Sequence, residues 1–176
     1  KNKQIIIMLK NIIKNAKIRK NSSHEENQYL NVIQDIINEG ELIEGRNGNT
    51  LAVFGSAMYF SLENNVIPLL TTKKVAWKTC LKELLWFISG STDNKKLQAE
   101  NVKIWNDNGS RDFLDSRGLN HLEENDLGPV YGHQWRFFNA PYTNCDESYK
   151  GKGVDQLQYI IDSLKDSKER YSRRLV

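Results

Sequence analysis

Val75-Ala76-Trp77-Lys78-Thr79-Cys80-Leu81-Lys82-Glu83-Leu84-Leu85-Trp86-Phe87-Ile88-Ser89, followed by Gly90, is the clearest helix signal in the chain. Gly90 sits where a helix stop is expected, since glycine accepts the left-handed backbone that ends many helices. On a helical wheel Trp77, Cys80, Leu81, Leu84, Leu85, Phe87 and Ile88 spread over much of the circumference, and only Lys78, Lys82 and Ser89 make a clear polar face. Glu83 does not fall with the lysines but between Trp86 and the Phe87/Cys80 side. A carboxylate flanked by aromatics is expected to lose hydration, which raises its pKa and suits it to proton transfer. The alternative is a surface glutamate in a gap of the apolar face.

Working upstream, Pro68 precedes a short extended piece, Leu69-Leu70-Thr71-Thr72-Lys73-Lys74, and Thr50 to Phe60 alternates as a strand or hairpin would. Glu41 to Asn49 is turn-rich. Gln28 to Asn38 predicts a helix with Tyr29, Leu30, Ile33, Ile36 and Ile37 on one side and Gly40 as its stop. Downstream, Asn106 to Asn125 reads as loop with short helical pieces, and Val130 to Phe138 as either strand or helix. Asp155 to Leu164 predicts a helix carrying Leu157, Ile160, Ile161 and Leu164 at i, i+3, i+4, i+7. The last two residues, Leu175-Val176, open a new apolar run, which is read as a strand cut short.

The 176 residues suffice for one domain with a real core, and 39% apolar with 27% charged residues is ordinary for a globular chain. No run approaches the roughly 20 apolar residues of a membrane span, and a net charge of +3 does not by itself argue for nucleic acid. Cys80 and Cys145 form no Cys-x-x-Cys pair, and His24, His121 and His133 are scattered, so no metal is expected. The cysteine usage favours a reducing compartment, read as the cytoplasm. Residues 1–25 are read as a separate leader or inter-domain linker, because Lys1 to Lys20 carries seven basic and no acidic residues. A mitochondrial transit-type leader and an electrostatic tether for RNA or a membrane surface are its other readings.

Other residues have chemical promise. Arg173-Arg174 offers two planar donor forks that suit phosphate, or is a solvated charge pair. Arg46 lies in the turn-forming Gly45-Arg46-Asn47-Gly48-Asn49, whose backbone N–H groups suit an anion. Gly128-Pro129-Val130-Tyr131-Gly132, followed by Gln134-Trp135-Arg136, fits either a site wall that a ligand approaches closely or a buried aromatic turn. Neither cysteine has a base or cation near it in sequence, so neither is read as a nucleophile.

Taken in order, these stretches resemble thymidylate synthase. The matching segments are Pro68 to Lys74, Glu83-Leu84-Leu85-Trp86-Phe87-Ile88, Lys103-Ile104-Trp105, Asn108 to Asp115, Asp126 to Gly132 with Gln134-Trp135-Arg136, Gly153 to Leu157, and Arg173-Arg174. They span residues 26–176, which are read as the N-terminal part of such a domain. The resemblance implies a mixed α/β (α+β) fold, with a large sheet flanked by helices and packed against a partner's in a homodimer. It implies reductive methylation of dUMP to dTMP, with 5,10-methylenetetrahydrofolate supplying both the carbon and the hydride after a cysteine thiolate attacks the pyrimidine.

By the same resemblance Glu83 organises proton transfer, and Trp105 and Tyr131 are aromatics around the nucleotide and nucleophile. Arg46, Arg173 and Arg174 hold the substrate phosphate, the pair reaching across the dimer. Ile104 and Asn108 contact the folate, and Lys73 its tail. The resemblance extends to forms fused behind dihydrofolate reductase.

The departures are specific. The family's Pro-Cys-His nucleophile segment has no counterpart here, so the polypeptide alone is expected to be inactive. The phosphate loop at Arg46 is one residue shorter, Ala76 replaces a bulky residue, and His133 and Phe137 replace a common Phe and His. Two extra residues, within Arg170 to Ser172, precede the arginine pair. The alternatives are a deoxycytidylate hydroxymethylase on the same scaffold, or a non-catalytic module that binds nucleotide or RNA.

Overall fold

The periodicity over Gln28 to Asn38 takes shape as helix α1, Asn27–Glu39, in a computed structural model that describes residues 24–45 and 48–173. Of the leader read over residues 1–25, residues 1–23 therefore lie outside the described residues, while His24 and Glu25 are described, the Glu25 carboxylate accepting the Ser61 N–H. Between Val75 and Ala76 the chain divides into two compact units.

In the first unit α1 ends at Gly40, whose N–H donates to the Ile36 carbonyl. The cap is extended, with φ −67°, so this glycine is required by space and not by handedness: a Cβ would lie 2.3 Å from the Ile36 oxygen. Strand β1, Glu41–Gly45, then pairs antiparallel with β2, Gly48–Ala52, in the register Glu41↔Ala52 to Gly45↔Gly48. The stretch read as turn-rich thus supplies the first strand, because its glycines bracket a two-residue connection. The strand expected over Thr50 to Phe60 stops at Ala52. Gly55, at φ +76°, leaves the extended region and ends the run. A short 3-10 turn follows at Glu63–Asn65.

Two buried polar side chains tie this unit together. Gln28 accepts from the Tyr59 N–H at 2.9 Å and donates to the Tyr59 carbonyl at 2.6 Å. The Glu26 carboxylate accepts from the Thr71 and Thr72 N–H groups and both hydroxyls, at 2.6–2.8 Å. Pro68 to Lys74 is accordingly held by a side chain and not by a sheet ladder. The Thr71 hydroxyl, with the N–H and hydroxyl of Thr72, lowers the Glu26 pKa to about 2. Because the folded value is depressed, this contribution to stability is present above the usual carboxylate range. It is lost as pH falls from about 4.5 through about 2. Thr71 and Thr72 amide exchange should accelerate selectively across that window, and Glu26→Gln should abolish the pH dependence. Uniform acceleration throughout the unit would contradict this.

The second unit begins with α2, Trp77–Ile88, and Gly90 ends it at φ +77°, its N–H donating to the Phe87 carbonyl. Next comes α3, Asn94–Ala99, capped by the Asp93 side chain accepting the Lys95 N–H. Then follow α4, Arg111–Ser116, α5, Tyr131–Arg136, α6, Gln156–Lys165, and a 3-10 turn at Glu169–Tyr171. Val130 to Phe138, open between strand and helix by period, is mainly helix α5. Trp86, Leu97, Val102 and Leu127 form the core, with Phe87, Trp105 and Val130 packed against it. Of the apolar circumference of α2 only Trp86 is fully buried, its indole N–H donating to the Asp93 carbonyl. Trp77, Leu81, Leu84 and Leu85 are exposed among the described residues.

Helices and a small antiparallel sheet make the class mixed α/β. The sheet among the described residues has two strands, far fewer than the large sheet implied by the resemblance. No described helix is long and apolar enough to cross a membrane.

Candidate functional site

Glu83 and Phe87 stand one turn apart on α2 and so share a helix face. Glu83 is half-buried, and its Oε1 accepts the indole N–H of Trp105 at 2.7 Å. Among the described residues this is the carboxylate's only hydrogen bond. Trp105 belongs to a run of tight turns in which Asn106 N–H donates to Lys103 O and Gly109 N–H to Trp105 O. That winding turns the indole toward α2.

Tyr131, the first residue of α5, closes the group. Its ring centroid lies 6.1 Å from that of Trp105 and 5.1 Å from that of Phe87, and Trp135, one turn on, lies 5.5 Å from Phe87. Helix α5 approaches α2 closely enough for this because Gly132 has no side chain. A Cβ there would sit 2.8 Å from the Ser91 carbonyl oxygen and 3.0 Å from that of Phe87. Upstream of Tyr131, the turn through Gly128 (φ +73°) is fixed by the Gly128 N–H donating to Asp126 Oδ1.

The structure therefore brings Glu83, Trp105 and Tyr131 into one cluster: a carboxylate with one oxygen anchored, beside two aromatic rings, with Tyr131 54% exposed. Ile104 (52% exposed) and Asn108 (half-buried) flank Trp105 on its turn run. Lys73 is exposed and belongs to the first unit. Arg173 is exposed beyond the last 3-10 turn, while Arg46 and Arg174 lie outside the described residues.

Neither periodicity nor motif assigns an individual task to Phe87 or Asp126, and Trp135 enters only as part of the Gln134-Trp135-Arg136 stretch. By sequence Phe87 is one more apolar helix position. Asp126 carried a usable signal, an acidic residue directly before a Leu-Gly-Pro turn.

Asp126 is 1% exposed and accepts from Tyr142 Oη, Gly128 N–H and Cys145 N–H. It borders a cavity of about 270 Å3 that Cys145 also lines. Burial, then the charges of Asp126, Asp146 and Asp93, push the Cys145 thiol up to about 11. At neutral pH it keeps its proton, so exposed Cys80 should be alkylated first. Modification of Cys145 should appear only as pH climbs toward 11, as peptide mapping after a timed iodoacetamide pulse would show. No group of three His, Cys, Asp or Glu among the described residues is arranged to hold a metal ion.

Comparison with known proteins places the chain in a family. A thymidylate synthase family model matches residues 27–176. The chain is 52% identical over 157 residues to a thymidylate synthase of Ascaris suum, covering 89% of this chain and 53% of that protein. It is 53% identical over 154 residues to the Homo sapiens thymidylate synthase, covering 87% of this chain and 48% of that one. Against the bifunctional dihydrofolate reductase-thymidylate synthase of Zea mays it is 52% identical over 154 residues, which is 29% of that longer protein. The chain thus spans about half the length of the single-function relatives it matches. With the family model running from the start of α1 through Val176, the chain belongs to the thymidylate synthase family.

Proposed function

We propose that this chain is part of an enzyme that reductively methylates dUMP to dTMP. The observation carrying the reading is the Glu83–Trp105 hydrogen bond at 2.7 Å beside the exposed ring of Tyr131. A planar pyrimidine can lie against those rings, with the second oxygen of Glu83 left to hold a proton or a water. Trp105 keeps the carboxylate from rotating, and the two rings limit water around it. Ile104 supplies an apolar contact to the folate, Asn108 a polar one, and Lys73 a charge for its tail. Arg46, Arg173 and Arg174 are assigned to the substrate phosphate. When bound, 5,10-methylenetetrahydrofolate supplies the one-carbon unit and the hydride.

The thiolate for covalent attack is assigned to neither cysteine of this chain. Among the described residues neither bonds to Glu83, Trp105 or Tyr131, and the Cys145 thiol is held protonated at neutral pH. The homodimer belongs to this proposal, as do a cytoplasmic location and a fused dihydrofolate reductase. Bifunctional relatives in Zea mays and Leishmania major support the fusion.

The complete gene product should convert dUMP while oxidising methylenetetrahydrofolate to dihydrofolate, followed by absorbance. Turnover of dCMP without dihydrofolate would instead identify the hydroxymethylase, and no turnover of either would overturn the enzymatic reading.

A further inference from the structure

Phe87 is the common neighbour of the aromatic residues in the cluster. Its centroid lies 5.2 Å from Trp86, 6.3 Å from Trp105, 5.1 Å from Tyr131 and 5.5 Å from Trp135. Against Trp105 the contact is edge-to-face, at 79°. An indole has a single N–H, in the plane of its ring, so the ring's rotation decides whether that N–H reaches an acceptor. Trp105 makes its bond to Glu83 at 2.7 Å, and Glu83 is one turn from Phe87 on the same helix. Phe87 thus reaches the donor through its ring and carries the acceptor on its own helix face. Trp135 also packs against its ring, and α5 is pressed against its carbonyl at Gly132.

We propose that Phe87 is a positioning residue: its ring, packed edge-to-face with Trp105, sets the rotation of the indole, which anchors Glu83 Oε1, and aligns Tyr131 beside it. The proposal rests on reading Glu83 and Trp105 as parts of the site, but its physical content is the coupling of three side chains. A branched aliphatic of similar volume would fill the space without an aromatic ring for the edge-to-face contact.

The test uses the indole N–H resonance of Trp105 in the full chain, assigned by Trp105→Phe. Glu83→Ala removes the acceptor and should move this resonance strongly in the parent protein. In Phe87→Leu the same Glu83→Ala change should move it little, because the bond is already lost, whereas Phe87→Tyr should restore the response. An undiminished response in Phe87→Leu would overturn the proposal and reduce Phe87 to core filling. If Phe87→Leu does not fold, Phe87→Met is the replacement, judged by the same response. In the complete gene product, Phe87→Leu should lower kcat about tenfold with KM nearly unchanged. A rise in KM alone would also overturn the proposal. Because the resonance needs no substrate, a failed dUMP assay and a failed coupling are distinguishable.

Discussion

Glu83→Gln in the complete gene product should lower kcat by about a hundredfold to ten-thousandfold, the range lost when a positioned acid–base group is removed. The substitution suits the question because it separates chemistry from architecture. A glutamine keeps a carbonyl oxygen where Oε1 now accepts the Trp105 N–H, so that hydrogen bond at 2.7 Å can persist. The half-buried side chain also keeps its size. What disappears is the capacity to exchange a proton at the second oxygen. The expected pattern is a large fall in kcat and a similar fall in kcat/KM, with the melting temperature and the Trp105 indole resonance close to those of the parent. Activity within a factor of about 3 of the parent would remove Glu83 from proton transfer. A large loss of stability would show instead that the carboxylate is structural.

The helices were legible wherever a stripe and a punctuating residue coincided. Gln28 to Asn38 before Gly40, and Val75 to Ser89 before Gly90, match α1 and α2 to within two residues at each end. Helix α3 is not legible by period because six residues are too short to show one, although Asp93 is a cap signal in the sequence. The first hairpin strand was hidden because Glu41 to Gly45 is exposed along its whole length, so burial imposes no alternation on it. For the site, helical geometry separated Glu83 from its lysine neighbours, but only family resemblance joined it to Trp105 and Tyr131, 22 and 48 positions away. Such pairings arise from close approaches like that at Gly132, and periodicity contains nothing about them. The hub role of Phe87 was masked by the apolar run around it.

Asp126→Ala should be the most destabilising of these substitutions, by about 3 kcal/mol, because it removes the shared acceptor of three donors at a site 1% exposed and leaves two backbone N–H groups without it. Asp126 Oδ1 accepts from Tyr142 Oη at 2.5 Å and from the Gly128 N–H at 2.9 Å, and Oδ2 accepts from the Cys145 N–H at 2.9 Å. Tyr142 is also within 2.8 Å of the Thr92 hydroxyl and stacks on Tyr149 at 14°, and both rings pack edge-on to buried His133. Asp126 therefore ties the turn that leads into Tyr131 to the loop carrying Tyr142 and Cys145. Asp126→Asn retains one acceptor but turns an amide donor toward other donors, so it should fall between parent and Ala.

Tyr142 gives an independent check on the same contact. Burial, and then its bond to Asp126, raise its pKa well above the ordinary 10.0. A raised folded value means that its contribution is complete below about pH 10. It drains away as pH rises further, because the unfolded chain releases the proton first. Urea unfolding of the parent should therefore weaken above pH 10, and Tyr142→Phe should be less stable at neutral pH but show a flatter alkaline limb. A midpoint for Asp126→Ala matching the parent, or an alkaline limb unchanged by Tyr142→Phe, would mean that water replaces these partners at little cost and that Asp126 does not hold the turn before Tyr131.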